Sequence, residues 1–180
     1  MIELNLILGS MFSGKSSMLI QKISEYEAIG KKTLLINSAL DTRCAKNEIK
    51  THSNKIKKGL KVNKLMQLLK NKQFLEAEII GIDEANFFGD LYNFINRIEH
   101  LNKIIFVSGL NGCSNRKKFG QILLLIPLAN DIIFLKSFCG ICKNSRTPGI
   151  FSKRISINNS KILIGEKDKY IVCCRPCYFN

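Results

Sequence analysis

The chain predicts an open α/β fold on a largely parallel sheet, and three observations predict it. A strand-length apolar run ends in a glycine-rich anion loop. A second apolar run ends in two adjacent carboxylates. Between and after them, short apolar runs alternate with stretches of helical periodicity. The loop is Gly9-Ser10-Met11-Phe12-Ser13-Gly14-Lys15-Ser16, which fits the phosphate-loop pattern G-x-x-x-x-G-K-[ST] and directly follows the apolar residues 2–8.

Residues 2–8 are near-continuously apolar, which suits a central parallel strand buried on both faces. Gly9 and Gly14 then permit turns closed to other residues, so that successive backbone N–H groups converge on phosphate oxygens. Lys15 neutralises the β- and γ-phosphates, and Ser16 offers its hydroxyl to Mg2+. Residues 17–29 read as an amphipathic helix with Met18, Leu19, Ile23 and Tyr26 at helical spacing and Gly30 as its C-terminal cap. That helix starts at the phosphates, where its positive end favours an anion. Residues 32–38 form a second strand and complete a βαβ unit. From 39 to 60 periodicity disappears while Asp41, Arg43, Thr51, His52 and several lysines accumulate, so a mobile polar loop is expected. Residues 62–70 are expected to be a short helix with Leu65, Leu68 and Leu69 inward.

Ile79-Ile80-Gly81-Ile82-Asp83-Glu84 is an apolar strand ending in acid, which a phosphate-loop enzyme needs beside its metal. Asp83 is the expected Mg2+ partner, through water, and Glu84 stands where a carboxylate accepts a proton from an attacking hydroxyl or water. Residues 91–101 form a helix with Leu91, Phe94, Ile95 and Ile98 on one face, and 103–108 another buried strand. Residues 109–120 are polar and glycine-rich, 121–126 resume an apolar run closed by Pro127, and 131–136 give a last strand. About five strands alternating with helices place ligands at the carboxyl ends of the strands.

After Lys136 the character changes. Cys139-Gly140-Ile141-Cys142 and Cys174-Arg175-Pro176-Cys177 are CxxC pairs, and four thiolates at this spacing fit a tetrahedral structural Zn2+. Cys173 is a neighbour able to compete as a ligand, whereas Cys44 and Cys113 read as ordinary thiols. The chain therefore divides into a nucleotide-binding domain over 1–137 and a zinc-binding domain over 138–180.

The 180 residues suffice for a proper core, and no run approaches the ~18 apolar residues of a membrane span. The start lacks a secretory signal, so a cytoplasmic protein is expected, whose seven cysteines form no disulfides and whose CxxC pairs keep their thiolates for metal. The net charge of +14 does not by itself mean nucleic acid. Its lysines are scattered, and the one dense group, Lys55, Lys57, Lys58, Lys61 and Lys64, has no interleaved aromatics for stacking bases. Lys, Ile and Asn are all frequent here and have codons rich in A and T, so a biased genome accounts for the basicity more economically. Neither nucleic acid nor membrane is expected as a partner.

The phosphate loop, the Ile82-Asp83-Glu84 strand end followed by Phe87-Phe88, and the late CxxC pairs together resemble the thymidine kinases of the cellular and poxvirus type. The resemblance runs over nearly the whole chain. It includes Asp41-Thr42-Arg43, Thr51-His52, Leu110-Asn111-Gly112, Arg116-Lys117 with Phe119-Gly120, Ser152-Lys153-Arg154, Asp168-Lys169-Tyr170 and the closing Cys174-Arg175-Pro176-Cys177-Tyr178. The shortness of the chain is most like the compact poxvirus members. The resemblance implies a RecA-like phosphate-loop fold with a zinc-binding lasso closing over the nucleoside. It also implies ATP and thymidine, with deoxyuridine, as substrates, and a homotetramer. Glu84 becomes the general base on the 5′-hydroxyl, Lys15 and Ser16 the phosphate and Mg2+ ligands, and Asp83 the acid behind the metal. Backbone groups of Lys161, Ile162, Leu163, Ile164 and Gly165, with the ring of Tyr170, close over the base, and Met11, Phe87, Leu110 and Phe119 form its apolar walls.

Some positions depart from the family pattern. Asn86 stands where the family writes Gln, Ser10 and Lys118 stand for prolines, and Ser114 takes the place of a base-contacting Phe, which should weaken one wall of the pocket. Arg43 and Arg154 are both candidates for the extra positive charge at the transition state. Two other classes fit parts of the sequence. In a nucleic-acid-stimulated RecA-like ATPase, Glu84 would activate water and the zinc pairs would grip DNA. The second is a catalytically silent zinc-ribbon protein using the loop as a nucleotide sensor, against which the intact Lys15, Ser16, Asp83 and Glu84 set argues.

Overall fold

Five of the apolar runs, with a short sixth strand, lie edge to edge in the computed structural model, which describes residues 1–41, 48–50, 56–142, 146–155 and 169–180, without the side chains of 48–50 and 56. The strands are β1 (Glu3–Gly9), β2 (Thr33–Ser38), two short strands β3 (Glu48–Lys50) and β4 (Ile56–Lys58) paired only with each other, β5 (Leu60–Val62), β6 (Ile79–Ile82), β7 (Ile104–Leu110) and β8 (Asp131–Leu135). The main sheet has the order β5-β2-β6-β7-β1-β8, and each of its pairings is parallel. The inner strands of a parallel sheet are covered on both faces, which is why β1, β2, β6 and β7 are almost wholly buried while the edge strands β5 and β8 are not.

Register carries the consequence for function. Gly9 lies opposite Leu110, and Ile82 opposite Val107, so the loops after β1, β6 and β7 leave the same carboxyl edge. The order also reverses around β1: the chain passes from β1 over two positions to β2, returns through β6 and β7, and then crosses β1 to β8. Ligand crevices of open α/β sheets form at such a switch point.

Helix α1 (Lys15–Ala28) covers one face through Leu19 and Ile23, packed on Ile7, Leu35, Ile79 and Phe106. The opposite face is the larger core. There α2 (Lys72–Glu76) and α3 (Leu91–Ile98) bury Phe74, Leu91, Phe94, Ile95 and Ile98 against Leu4, Leu6, Ile36, Ile80, Ile82 and Ile105. The apolar face expected of the 91–101 helix is therefore the buried one, although the helix stops at Ile98.

Two expectations need correction. The expected polar loop over 39–60 holds the paired β3 and β4, and its end starts β5 on the sheet edge. The expected helix over 62–70 is a 3-10 helix over Leu65–Lys70, and Val62 belongs to β5 instead. Leu60 and Val62 both pack against the core, a period of two that three residues are too few to announce. Leu65 and Leu68 are fully buried and Leu69 partly so, as expected. The apolar run ending at Pro127 is likewise a 3-10 helix, Ile122–Leu128.

The C-terminal part is built of small pieces. Strand β9 (Ser137–Phe138) pairs antiparallel with β10 (Pro148–Gly149), and β11 (Phe151–Arg154) with β12 (Tyr170–Cys173), before the one-turn helix α4 (Arg175–Phe179). Gly140 N–H donates to Val172 O at 2.8 Å and Ile150 N–H to Cys173 O at 3.0 Å, which ties the two hairpins together.

Candidate active site

The phosphate loop follows β1 and hands directly into α1, which begins at Lys15, two residues earlier than its periodicity predicts. Gly14 caps the helix at φ 88°, in the left-handed region that glycine enters without a Cβ penalty. At Gly9 a Cβ would strike the carbonyl oxygen of Leu135 and the hydroxyl of Ser13, so the loop closes only around a glycine. Phe12 also adopts a positive φ, 58°, a conformation that costs a non-glycine residue energy and that the surrounding loop must hold.

Lys15 Nζ donates to Ser10 O at 2.7 Å, folding the cation back over its own loop. Ser13 Oγ is buried and has no hydrogen-bond partner among the described residues. A buried hydroxyl without a partner in this loop, two residues before Lys15, fits a phosphate group as the missing partner. Ser10 and Met11 join the loop to the C-terminal part. Ser10 Oγ donates to Gly149 O at 2.9 Å, and Met11 N–H donates to Ser152 Oγ at 3.0 Å.

Asp83 and Glu84 follow β6 on the same edge. Asp83 is buried, its N–H donates to Ile36 O at 2.8 Å, and its carboxylate accepts a very short hydrogen bond from Ser108 Oγ of the neighbouring β7. Glu84 is only half-buried and sits at φ 50°. That left-handed residue turns the chain sharply out of the strand into the 3-10 turn Ala85–Phe87. The two acids therefore differ in setting: one is fixed in the sheet and one is presented on a strained turn.

Three of the four expected apolar walls, Phe87, Leu110 and Phe119, meet around Asn86, while Met11 bonds Ser152 instead. Asn86 Nδ2 donates to Leu110 O at 3.1 Å and to Phe119 O at 2.8 Å, and its Oδ1 accepts from Leu110 N–H at 2.6 Å. One buried amide thus joins the turn after Glu84 to both ends of the 110–119 loop. The rings of Phe87 and Phe119 meet edge to face with centroids 5.5 Å apart. Tyr170, at the start of β12, accepts a hydrogen bond from Arg154 at 3.1 Å. Ser114 is held elsewhere: its carbonyl accepts from Tyr178 Oη at 2.6 Å. Lys161, Ile162, Leu163, Ile164, Gly165 and Arg43 lie outside the described residues.

The four expected sulfur ligands converge. Cys139, Cys142, Cys174 and Cys177 place their Sγ atoms all within 4.8 Å of one another. This compares with the roughly 3.8 Å edge of a tetrahedron of Zn–S bonds, so the donor set fits zinc. Cys173 is buried beside them but is not one of the four. Burial alone would raise the Cys139 thiol, yet backbone N–H groups of Cys142, Cys174 and Ile141, with the Cys142 thiol, hold it down to about 6. Cys177 goes the other way, pushed up to about 12 by its hydrogen bond toward Cys174, by burial and by the Cys139 sulfur. Charging one sulfur penalises its neighbours, and a divalent cation removes that penalty.

Three partners escaped the sequence reading. Ser108, Ser152 and Gly149 are contacts of Asp83, Met11 and Ser10 across 25, 141 and 139 positions. A lone serine in an apolar strand carries no local signal of its partner. At Ser108 the one available hint is a polar residue near the carboxyl end of a buried run.

A parallel sheet with a glycine-rich anion loop between its first strand and helix, and acids at the end of a nearby strand, defines a phosphate-loop nucleotide-binding protein. The thymidine kinase family model matches residues 2–178, and the chain belongs to that family. It is 39% identical over 177 residues to the thymidine kinase of Yaba monkey tumor virus, covering 98% of this chain and 94% of that one. It is 34% identical over 177 residues to the thymidine kinase of Myxoma virus strain Uriarra, covering 98% and 96%. With the cytosolic thymidine kinase of Gallus gallus it shares 32% over 178 residues, covering 99% of this chain and 77% of the relative.

Proposed function

We propose that this chain is a thymidine kinase of nucleoside salvage, transferring the γ-phosphoryl group of ATP to the 5′-hydroxyl of thymidine. The family match across residues 2–178 carries this reading. The geometry supports it, because the phosphate loop and the Asp83-Glu84 pair leave the same edge of one parallel sheet.

In this reading each group has one task. The amides of residues 9–16 and Lys15 hold the phosphates and offset their charge, which is most of what phosphoryl transfer asks of a protein. Ser16 and Asp83 would hold Mg2+, which when bound neutralises charge shared between the phosphates. Ser108 fixes the Asp83 carboxylate for that purpose. Glu84, half-buried at the head of its turn, takes the proton from the 5′-hydroxyl. Met11, Leu110, Phe87 and Phe119 wall the base, Ser114 borders it, and residues 161–165 with Tyr170 close over it. Arg154 lies beside Tyr170, and either it or Arg43 supplies the extra positive charge at the transition state. Cys139, Cys142, Cys174 and Cys177 would hold a structural Zn2+ that keeps the 138–180 lasso folded. The assembly is a cytoplasmic homotetramer.

The rival ATPase reading is tested by ATP turnover with Mg2+ alone, with thymidine and with single-stranded DNA. A kinase is stimulated by thymidine and indifferent to DNA. Stimulation by DNA without any by thymidine overturns the proposal.

A further inference from the structure

We propose that Tyr178 and Arg116 are positioning residues that clasp the 113–119 loop to helix α4, so that the nucleoside side of the site depends on the metal state of the four-cysteine cluster. The inference rests on the proposed function for what this loop borders, but not for the clasp itself.

Tyr178 follows Cys177 directly, and its hydroxyl donates to the backbone carbonyl of Ser114 at 2.6 Å, the distance of a strong O–H···O bond. Two residues on, the guanidinium carbon of Arg116 lies 4.7 Å from the Tyr178 ring centroid and 4.5 Å from that of Phe179, with Phe151 at 5.8 Å. These are cation–π distances to both rings of α4, the half-buried Tyr178 and the exposed Phe179. Phe151 and Tyr178 in turn stack tilted at 5.2 Å.

The loop needs such a hold. Arg116 has φ 58°, a conformation that a non-glycine residue keeps only when its surroundings enforce it. Locally it is enforced by Arg116 N–H to Cys113 O and Cys113 N–H to Lys117 O, both 2.9 Å. Ser114 has no apolar side chain to bury as an anchor, so its carbonyl and the neighbouring guanidinium take that part. The other end of the loop is fixed separately, through Asn86 to Phe119 O.

Helix α4 itself has only five residues, too few to be stable alone. It is placed by Cys174 at its N-cap, by Cys177 within it and by Lys153 Nζ donating to Cys177 O at 3.1 Å. Whatever sets the four sulfurs therefore also sets Tyr178, and through it Ser114 and Arg116.

Hydrogen exchange and steady-state kinetics on the full-length, zinc-loaded protein test this. Tyr178→Phe keeps the ring and removes the hydroxyl. It should retain its zinc, speed amide exchange at residues 113–119 by about three- to tenfold and raise the thymidine KM by a similar factor with the ATP KM held, as loss of one net hydrogen bond implies. Arg116→Met should act likewise and Arg116→Lys should partly restore the hold, since lysine keeps the cation without the flat stack. Removing zinc from the unmutated protein should speed exchange in the same amides. Unchanged exchange at 113–119 in both Tyr178→Phe and Arg116→Met overturns the clasp, and so does a rise in both KM values together. If the unmutated protein does not accept thymidine, the proposed function fails, while the exchange measurement still decides the clasp.

Discussion

Glu84 and Asp83 are adjacent in sequence and unlike in setting. Asp83 is pinned by Ser108 and the Ile36 carbonyl, whereas Glu84 turns out of the strand at φ 50° and keeps its carboxylate half-exposed. That division suits a charge that stays put and a base that must take up and release a proton. If Glu84 is the base proposed here, Glu84→Gln preserves size and hydrogen bonding and removes the proton acceptor, so ATP binding should persist while kcat falls by ~10²–10⁴. ATP binding by titration and steady-state kcat on the variant check this, and turnover like that of the unmutated protein refutes the role. Both acids were legible in the sequence because they close an apolar run downstream of a phosphate loop. Ser108 was not, because the register of β6 against β7, not any local pattern, brings its hydroxyl to Asp83.

Between elements the binding is done by a few buried polar groups. Asn86 spans the turn after β6, the end of β7 and the far side of the following loop with three hydrogen bonds. Asn86→Ala leaves two carbonyls and an N–H without that partner and should cost about 2–3 kcal/mol. For a chain of this length that lowers Tm by about 4–12 °C. Thermal unfolding measures it, and a Tm within a degree or so of the unmutated protein would mean that water replaces the amide. The central strands and the long helices were readable from continuous apolar runs and helical spacing. Strand β5 and the 3-10 helices were not. Three residues at the sheet edge show too little alternation, and Leu65, Leu68 and Leu69 fit a 3-10 turn as well as an α-helix.

Across the whole molecule, the C-terminal part reaches the phosphate loop through Ser10 and Met11 and the 113–119 loop through Tyr178, all from segments organised around four cysteines. Local spacing was enough to identify those cysteines, but the contacts across 139 and 141 positions exist only in the fold. Zinc should therefore act on more than its own hairpins. Stripping it with a chelator should lower Tm by at least roughly 5 °C and be reversed by zinc, since metal binding couples to folding. Full retention of Tm in verified metal-free protein would make the cluster a dispensable ornament. The central claim, that this edge of the sheet phosphorylates thymidine, is tested most directly by incubating the pure protein with γ-labelled ATP, Mg2+ and each of the four deoxynucleosides. The account predicts label in 5′-thymidylate above all other products. Label released only as inorganic phosphate, or carried chiefly by a purine nucleoside, would contradict it.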